Sequence, residues 1–441
     1  MKLAKFSRST SHAVRFCQEL QRRRASKEEA STDAVDASPP AQPRAWHDTK
    51  ADGAGLLDMV REQAFLLLAI ALFSLLGVLA SHLHWGPVAT FGFSFVALLP
   101  LAMLLGDLTE GLADWCGPVL GGLLNATLGN ATEAIVLVQA VRHGLVGVEQ
   151  AALLGGVLSN MLLVVGLSFT VSKAQAFDKR VAIADIGVLF VACVAIILPT
   201  LAAAAPGGTS LASIEDSRAT AFVLLAMYIC FLFYTLSPAA GQEKISADAE
   251  EGRLLVSDEK KEDGGPENQP KLSLWCIMGL LSLITVLMAV LANALVINVF
   301  PLADALHITP DIVSCVALPV IGNAAELATA VIAARRGAMD LAIAVALGSA
   351  TQISLFLLPV AVLFGWSIGV PMSLDFSPTF AVAFFVSVLI GAIVLMDGRS
   401  NWLKGSLLLG AYVIFVASLL FNPGDAVQGP AAAPSTAPAS A

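Results

Sequence analysis

Charge is scarce in this chain. Only 13% of its residues are Asp, Glu, Lys or Arg, against a usual share of about 25%, and aromatic residues make up just 7%. So little charge cannot cover a water-facing surface of this size, which excludes an ordinary soluble enzyme or nucleic-acid binder. The six cysteines (Cys17, Cys116, Cys193, Cys230, Cys276 and Cys315) are scattered, with no CxxC pair and no metal-ligand spacing, so they read as packing residues. HExxH and GxGD are absent, as is any Ser/His pair inside the apolar segments, so an intramembrane hydrolase lacks its parts. Some sixty polar residues precede the first apolar segment, an order that does not fit a secretory signal peptide.

What is present is apolar and long. The chain is 57% hydrophobic, with runs such as Ala64 to Leu83 and Leu272 to Val296. These reach the roughly 20 residues a helix needs to cross a bilayer. Eleven such spans are expected, near 62–83, 86–105, 117–142, 148–171, 181–204, 217–239, 272–296, 311–334, 339–364, 378–397 and 402–421. Alternating β-barrel strands do not give continuous runs of this length. The expected fold class is an all-α integral membrane protein.

The basic residues give an orientation. With the N-terminus in the cytoplasm, the tail holds 11 Lys and Arg and the later cytoplasmic segments hold 12, leaving only Arg142 and Arg218 outside. Even with the long tail discounted, that asymmetry supports the assignment. Residues 1–61 form a polar tail with a basic cluster at Arg22 to Arg24, which is also a candidate regulatory element. Residues 240–271 read as an acidic cytoplasmic loop and 422–441 as a disordered C-terminal tail. Between them lie 62–239, the first helix plus a first unit of five, and 272–421, a second unit of five.

The two units share a peptide. Gly129-Asn130-Ala131-Thr132-Glu133 recurs as Gly322-Asn323-Ala324-Ala325-Glu326, and at that offset of 193 the window 129–162 is identical at 12 of 34 positions. The copies fall in spans three and eight, so they cross the membrane in opposite directions. That pattern implies inverted repeats with a site at their interface, a secondary-transporter arrangement. Glu133 lies nine residues before Arg142, and Glu326 lies nine before Arg335. At about 1.5 Å per residue, each carboxylate is then roughly 13–14 Å from its charged helix end, close to half of a roughly 30 Å core.

A glutamate at that depth is costly unless something holds it, so such residues usually mark an ion or proton path. Glycine in each copy weakens the helix locally and releases carbonyls, and asparagine adds a neutral oxygen. Carboxylates, amide oxygens, carbonyls and water suit Ca²⁺. Protons and a dication would compete for the same two acids. Glu133 and Glu326 are therefore the candidate ion- and proton-coupling residues, with Asn130, Asn323, Ser159 and Gln352 as candidate oxygen donors; Asn160, next to Ser159, and Thr351, next to Gln352, could supply oxygens or serve packing alone. Asp185, the polar connection Asp107, Glu110 and Asp114, and His82, His84 and His307 fit packing or solvation better.

The stretches 121–144 and 153–166, with 318–337 and 346–366, resemble the cation/proton exchangers of the Ca²⁺/cation antiporter superfamily. The resemblance extends over most of residues 62–421. It implies eleven spans, a polar acidic loop after the sixth, Ca²⁺ moved out of the cytosol against protons, and Glu133 and Glu326 at the centre. Asn130, Asn323 and Gln352 match polar positions of that family. Na⁺/Ca²⁺ exchangers, the nearest alternative, typically start the repeat with a Gly-Thr-Ser type of sequence instead. Expected cargo is Ca²⁺ and H⁺, with no resident cofactor, no enzymatic activity and no nucleic-acid partner. The expected location is a vacuolar or other acidic endomembrane.

Overall fold

Gly-Asn pairs interrupt two helices that hydropathy alone would run straight through. The computed structural model describes residues 64–204, 210–236 and 272–421. The N-terminal tail, the 240–271 loop and the C-terminal tail lie outside them. The described chain is helical: α1 Ala64–His82, α2 Pro87–Leu128, α3 Ala131–Arg142, α4 Val146–Val171, α5 Lys179–Ala204, α6 Ser210–Leu236, α7 Leu274–Ile297, α8 Val299–Leu306, α9 Pro310–Gly322, α10 Ala324–Arg336, α11 Met339–Ser367, α12 Pro378–Leu395 and α13 Trp402–Phe421. Its only strand-like feature among the described residues is an isolated bridge from Ala176 to Arg399.

Eight of these helices are long and apolar enough to cross a membrane, or nine if α9 and α10, bent by 62° at their junction, make one span. That is fewer than the eleven expected from hydropathy. The difference lies in α1, a shorter apolar helix, and in the region of α2 and α3. Residues 106–116 were expected to form a polar connection; instead α2 stays helical through Asp107 and Glu110. A helical ladder needs no membrane, and no breaker appears before Gly117-Pro118. Between Ala113 and Gly121 the helix bends sharply. A Cβ on Gly121 would touch the Ala113 carbonyl, although eight residues of straight helix separate such atoms by about 12 Å.

The exterior is apolar. Phe233 is 73% exposed and Ile414 72%, a surface that a hydrocarbon solvent covers and water does not. Buried hydroxyls turn inward on their own helices, as when Thr200 donates to the Ile196 carbonyl and Ser387 to that of Ala383, both within 2.8 Å. Close contacts use glycine: a Cβ on Gly405 of α13 would sit 2.7 Å from the Gly166 carbonyl of α4.

Two apolar cores result. One gathers α1, α2, α7, α8 and part of α9. The other gathers α4, α5, α6 and α10 to α13. Helix α3 lies between them, with Val136 and Ala140 in the first and Leu137 and Val141 in the second. Spacing of four puts each pair on its own face. The candidate carboxylates are thus held where the two cores meet.

Candidate ion site

Both copies of the repeated peptide lie at helix breaks. Helix α2 ends at Leu128, Gly129 and Asn130 form a turn, and α3 starts at Ala131. In the second copy α9 ends at Gly322, Asn323 is the turn, and α10 starts at Ala324. Each asparagine's carbonyl accepts the first helical bond of the following helix, from Ala134 N–H at 3.0 Å and from Leu327 N–H at 2.8 Å. Glu133 and Glu326 then fall in equivalent first turns. There the positive end of a helix favours negative charge, while the preceding half-helix presents its last carbonyls. The motif helices also stop alike. Gly144 (φ 69°) and Gly337 (φ 100°), 193 residues apart, take the left-handed conformation that a side chain resists.

The asparagine amides cross between the halves in a matched way. Asn130 accepts from Ser349 Oγ at 3.1 Å, and Asn323 Nδ2 donates to the Gly156 carbonyl at 3.1 Å. Adding 193 to 130 gives 323, and adding it to 156 gives 349, so the same two positions meet from each repeat, although Asn130 accepts from a side chain and Asn323 donates to a backbone carbonyl. The Asn130 side extends into a chain: Asn160 Nδ2 donates to Ser349 Oγ at 2.9 Å, and Asn130 Nδ2 donates to Gln352 Oε1 at 2.6 Å. Asn130 and Gln352 are thus engaged with each other. Asn323 Oδ1, Asn160 Oδ1 and Thr351 Oγ1 are enclosed and without a hydrogen-bond partner. Ser159 is 3% exposed, at the start of a π-helical turn.

That turn, Ser159–Val164 in α4, has a counterpart in α11 at Ile353–Leu357. Shifted by 193, the first covers 352–357, so the wide turns coincide in the two repeats. A third π-helical turn, Val313–Ala317, lies in α9. Such turns concentrate at functional sites.

The carboxylates sit in the middle of this frame. Both oxygens of Glu133 and one of Glu326 are enclosed without a hydrogen-bond partner, and the two acids interact electrostatically. Glu133 packs against the backbone of Gly322, where a Cβ would collide with its carboxylate. A narrow cavity beside it is lined by Thr132, Glu133, Glu149, Gly156, Pro319, Gly322 and Ile353, among others. Among the described residues no three His, Cys, Asp or Glu side chains converge on one point. The arrangement offers few charges and many neutral oxygens, the donor set of a hard cation.

Sequence reasoning passed over Ser349, Gly156 and Glu149. The first two answer Asn130 and Asn323 across the repeat and were legible only once those partners were in place. Glu149, at the start of the span expected over 148–171, was given no role.

The fold defines a multi-pass, all-helical membrane protein whose two halves carry one motif each. The chain belongs to the sodium/calcium exchanger protein family, which matches residues 86–237 and 276–421. It is 37% identical over 364 residues to a Ca²⁺/H⁺ antiporter of Aphanothece halophytica, covering 81% of this chain and 97% of that one. It is 36% identical over 349 residues to vacuolar cation/proton exchanger 3 of Oryza sativa subsp. japonica, covering 75% and 80% of the two. Among solved structures it resembles native YfkE with a TM-score of 0.66 and 29% identity, over 80% of this chain and 99% of that one.

Proposed function

We propose that this protein is a secondary active antiporter that exchanges cytosolic Ca²⁺ for protons. The single observation that carries the reading is the matched pair Glu133 and Glu326: enclosed acids at equivalent helix breaks, each backed by an asparagine that reaches into the other repeat. The names borne by similar proteins, Ca²⁺/H⁺ antiporter and vacuolar cation/proton exchanger, agree with it.

The architecture proposed for this activity is one N-terminal helix followed by two inverted five-helix repeats, eleven crossings in all. Helix α1, the α2 tail with α3, and α9 with α10 supply the three crossings that length alone does not count. The N-terminus and the 240–271 loop face the cytosol, and the far side is an acidic compartment.

Exchange follows from charge. Two ionised carboxylates with nothing bound are expensive to carry through a low-dielectric core. One Ca²⁺ neutralises the pair, and so do two protons. Only these neutral forms cross easily, and they exclude one another, which is coupling. Asn323, Ser159 and the carbonyls freed at the breaks complete a flexible oxygen shell for the cation. Asn130 and Gln352, bonded to each other, fix the register between the repeats and present their remaining lone pairs to the site. Movement between the two apolar cores, with α3 at their boundary, exposes the acids to one side and then the other. The protein acts as a transporter rather than an enzyme, with Ca²⁺ and H⁺ as its cargo and no resident cofactor.

The test is flux in proteoliposomes. An inside-acid gradient drives Ca²⁺ uptake, and a protonophore abolishes it; a Na⁺ gradient in its place does not drive it. Glu133→Gln or Glu326→Gln, which keeps size but removes charge, stops coupled transport while the protein still purifies as a folded species. Uptake indifferent to the pH gradient, or full exchange in either variant, refutes the proposal.

A further inference from the structure

A third acid shares the cavity with Glu133. Glu149 lies in the first turn of α4, is 1% exposed, and has an enclosed Oε2 with no hydrogen-bond partner. It lines the same cavity as Glu133, and the two charges interact. It does not cap its helix: the cap position is Leu145, with no side-chain cap bond there. Among the described residues no ion pair involves it. Its counterpart in the second repeat is Ala342, so it is not part of the matched set. A buried carboxylate with an oxygen left unsatisfied and no ion-pair partner has nothing in the fold to offset its burial fully, and such residues mark a path for ions.

Position says which path. Glu149 is three residues into α4, about 5 Å along the helix axis from the end nearest the α3–α4 turn. Glu133 is nine residues, about 13–14 Å, from the Arg142 end of α3, which adjoins the same turn. The two acids therefore stand at successive depths on one route, with the backbones of Gly156 and Gly322 beside them.

We infer that Glu149 is a cation-binding way-station that holds a divalent cation between the α3–α4 face and Glu133. Two carboxylates across a small space make a second position for a hard cation, displaced toward that face; with Val136, Ala152, Leu153, Leu318 and Ile353 around them, the charge that holds it is theirs alone. The repeat symmetry ends here: a cation approaching through the other repeat meets Ala342 in place of an acid. The inference rests on the exchange reading and predicts a one-sided effect.

The experiment uses the full chain in liposomes, with orientation scored by protease access to an N-terminal tag, and Ca²⁺ as the probe offered from each face in turn. Glu149→Gln raises half-saturating Ca²⁺ at the α3–α4 face by about 10-fold and leaves the opposite face unchanged. Glu149→Asp, which keeps the charge on a shorter arm, gives a smaller rise on the same face alone, and it carries the test if the glutamine variant does not fold. Unchanged constants at both faces overturn the inference, and so does an equal rise at both. A wild-type chain that moves no Ca²⁺ against protons overturns the exchange reading itself, whereas normal wild-type exchange with an unaltered Glu149→Gln variant overturns only the way-station.

Discussion

Gly322→Ala separates folding from function more cleanly than any substitution of the acids themselves. The methyl group would occupy the place of the Glu133 carboxylate, whose Oε1, Cδ and Cγ are the three nearest atoms to it. Because these atoms end a flexible side chain, the fold can absorb the methyl by moving the carboxylate, and alanine in a helix is otherwise favourable. What is lost is the place of the acid. Forcing one extra methyl into a filled position costs about 1–3 kcal/mol. If that cost falls on the ion-bound state, half-saturating Ca²⁺ rises by about 5- to 150-fold. The assay is initial Ca²⁺ flux against concentration, with melting temperature measured on the same preparation. Gly348→Ala is the control, since a Cβ there meets nothing within 4 Å. A Gly322→Ala protein with wild-type half-saturation would mean that the observed position of Glu133 is not the one that holds the ion.

Other substitutions probe the frame. Asn323→Ala removes the bond to the Gly156 carbonyl and lowers stability by about 1–3 kcal/mol, read as a fall in melting temperature; Asn323→Asp, which keeps shape but loses the donor, falls by a similar amount. Gly405→Leu drives a side chain into Gly166 and Thr170 of α4 and abolishes folded protein on size-exclusion chromatography, whereas Gly410→Leu, in open space, does not. In the α12–α13 turn, Lys404 pairs with Asp397 and holds its carboxyl below the ordinary range, chiefly through their hydrogen bond. A depressed carboxyl stabilises the fold above its unfolded value and loses that contribution as pH falls through the folded one. Lys404→Ala therefore narrows the stability difference between neutral and acid pH, by no more than about 1 kcal/mol for so exposed a pair, measured by melts across pH.

How far the structure was legible varied with the kind of signal. The breaks at Gly129-Asn130 and Gly322-Asn323 were visible because glycine and asparagine in mid-span have a local meaning that no distant contact is needed to supply. The course of α2 was not. Asp107 and Glu110 look like a connection because they are charged, yet charge ends a membrane crossing without ending a helix, and α2 runs on to Leu128. Glu149 was hidden for a different reason. Comparing the repeats draws attention to residues that recur, and Glu149 faces Ala342. The π-helical turns have no composition of their own, so only the backbone reveals them.

Those wide turns have a mechanical consequence. A π-helical turn holds one residue more than the α-helix around it requires, and in α4 and α11 that surplus lies alongside the ion site. Slack of this kind has no fixed address. Hydrogen bonds can lengthen by one residue at its leading edge and shorten by one at its trailing edge, so the loop of spare backbone can travel along the helix without leaving an amide stranded in hydrocarbon. Each step turns the residues it passes by about 100° about the axis. Two helices carry such slack at equivalent points beside the ion site, so each has room to take up a one-residue shift there without breaking the rest of its ladder.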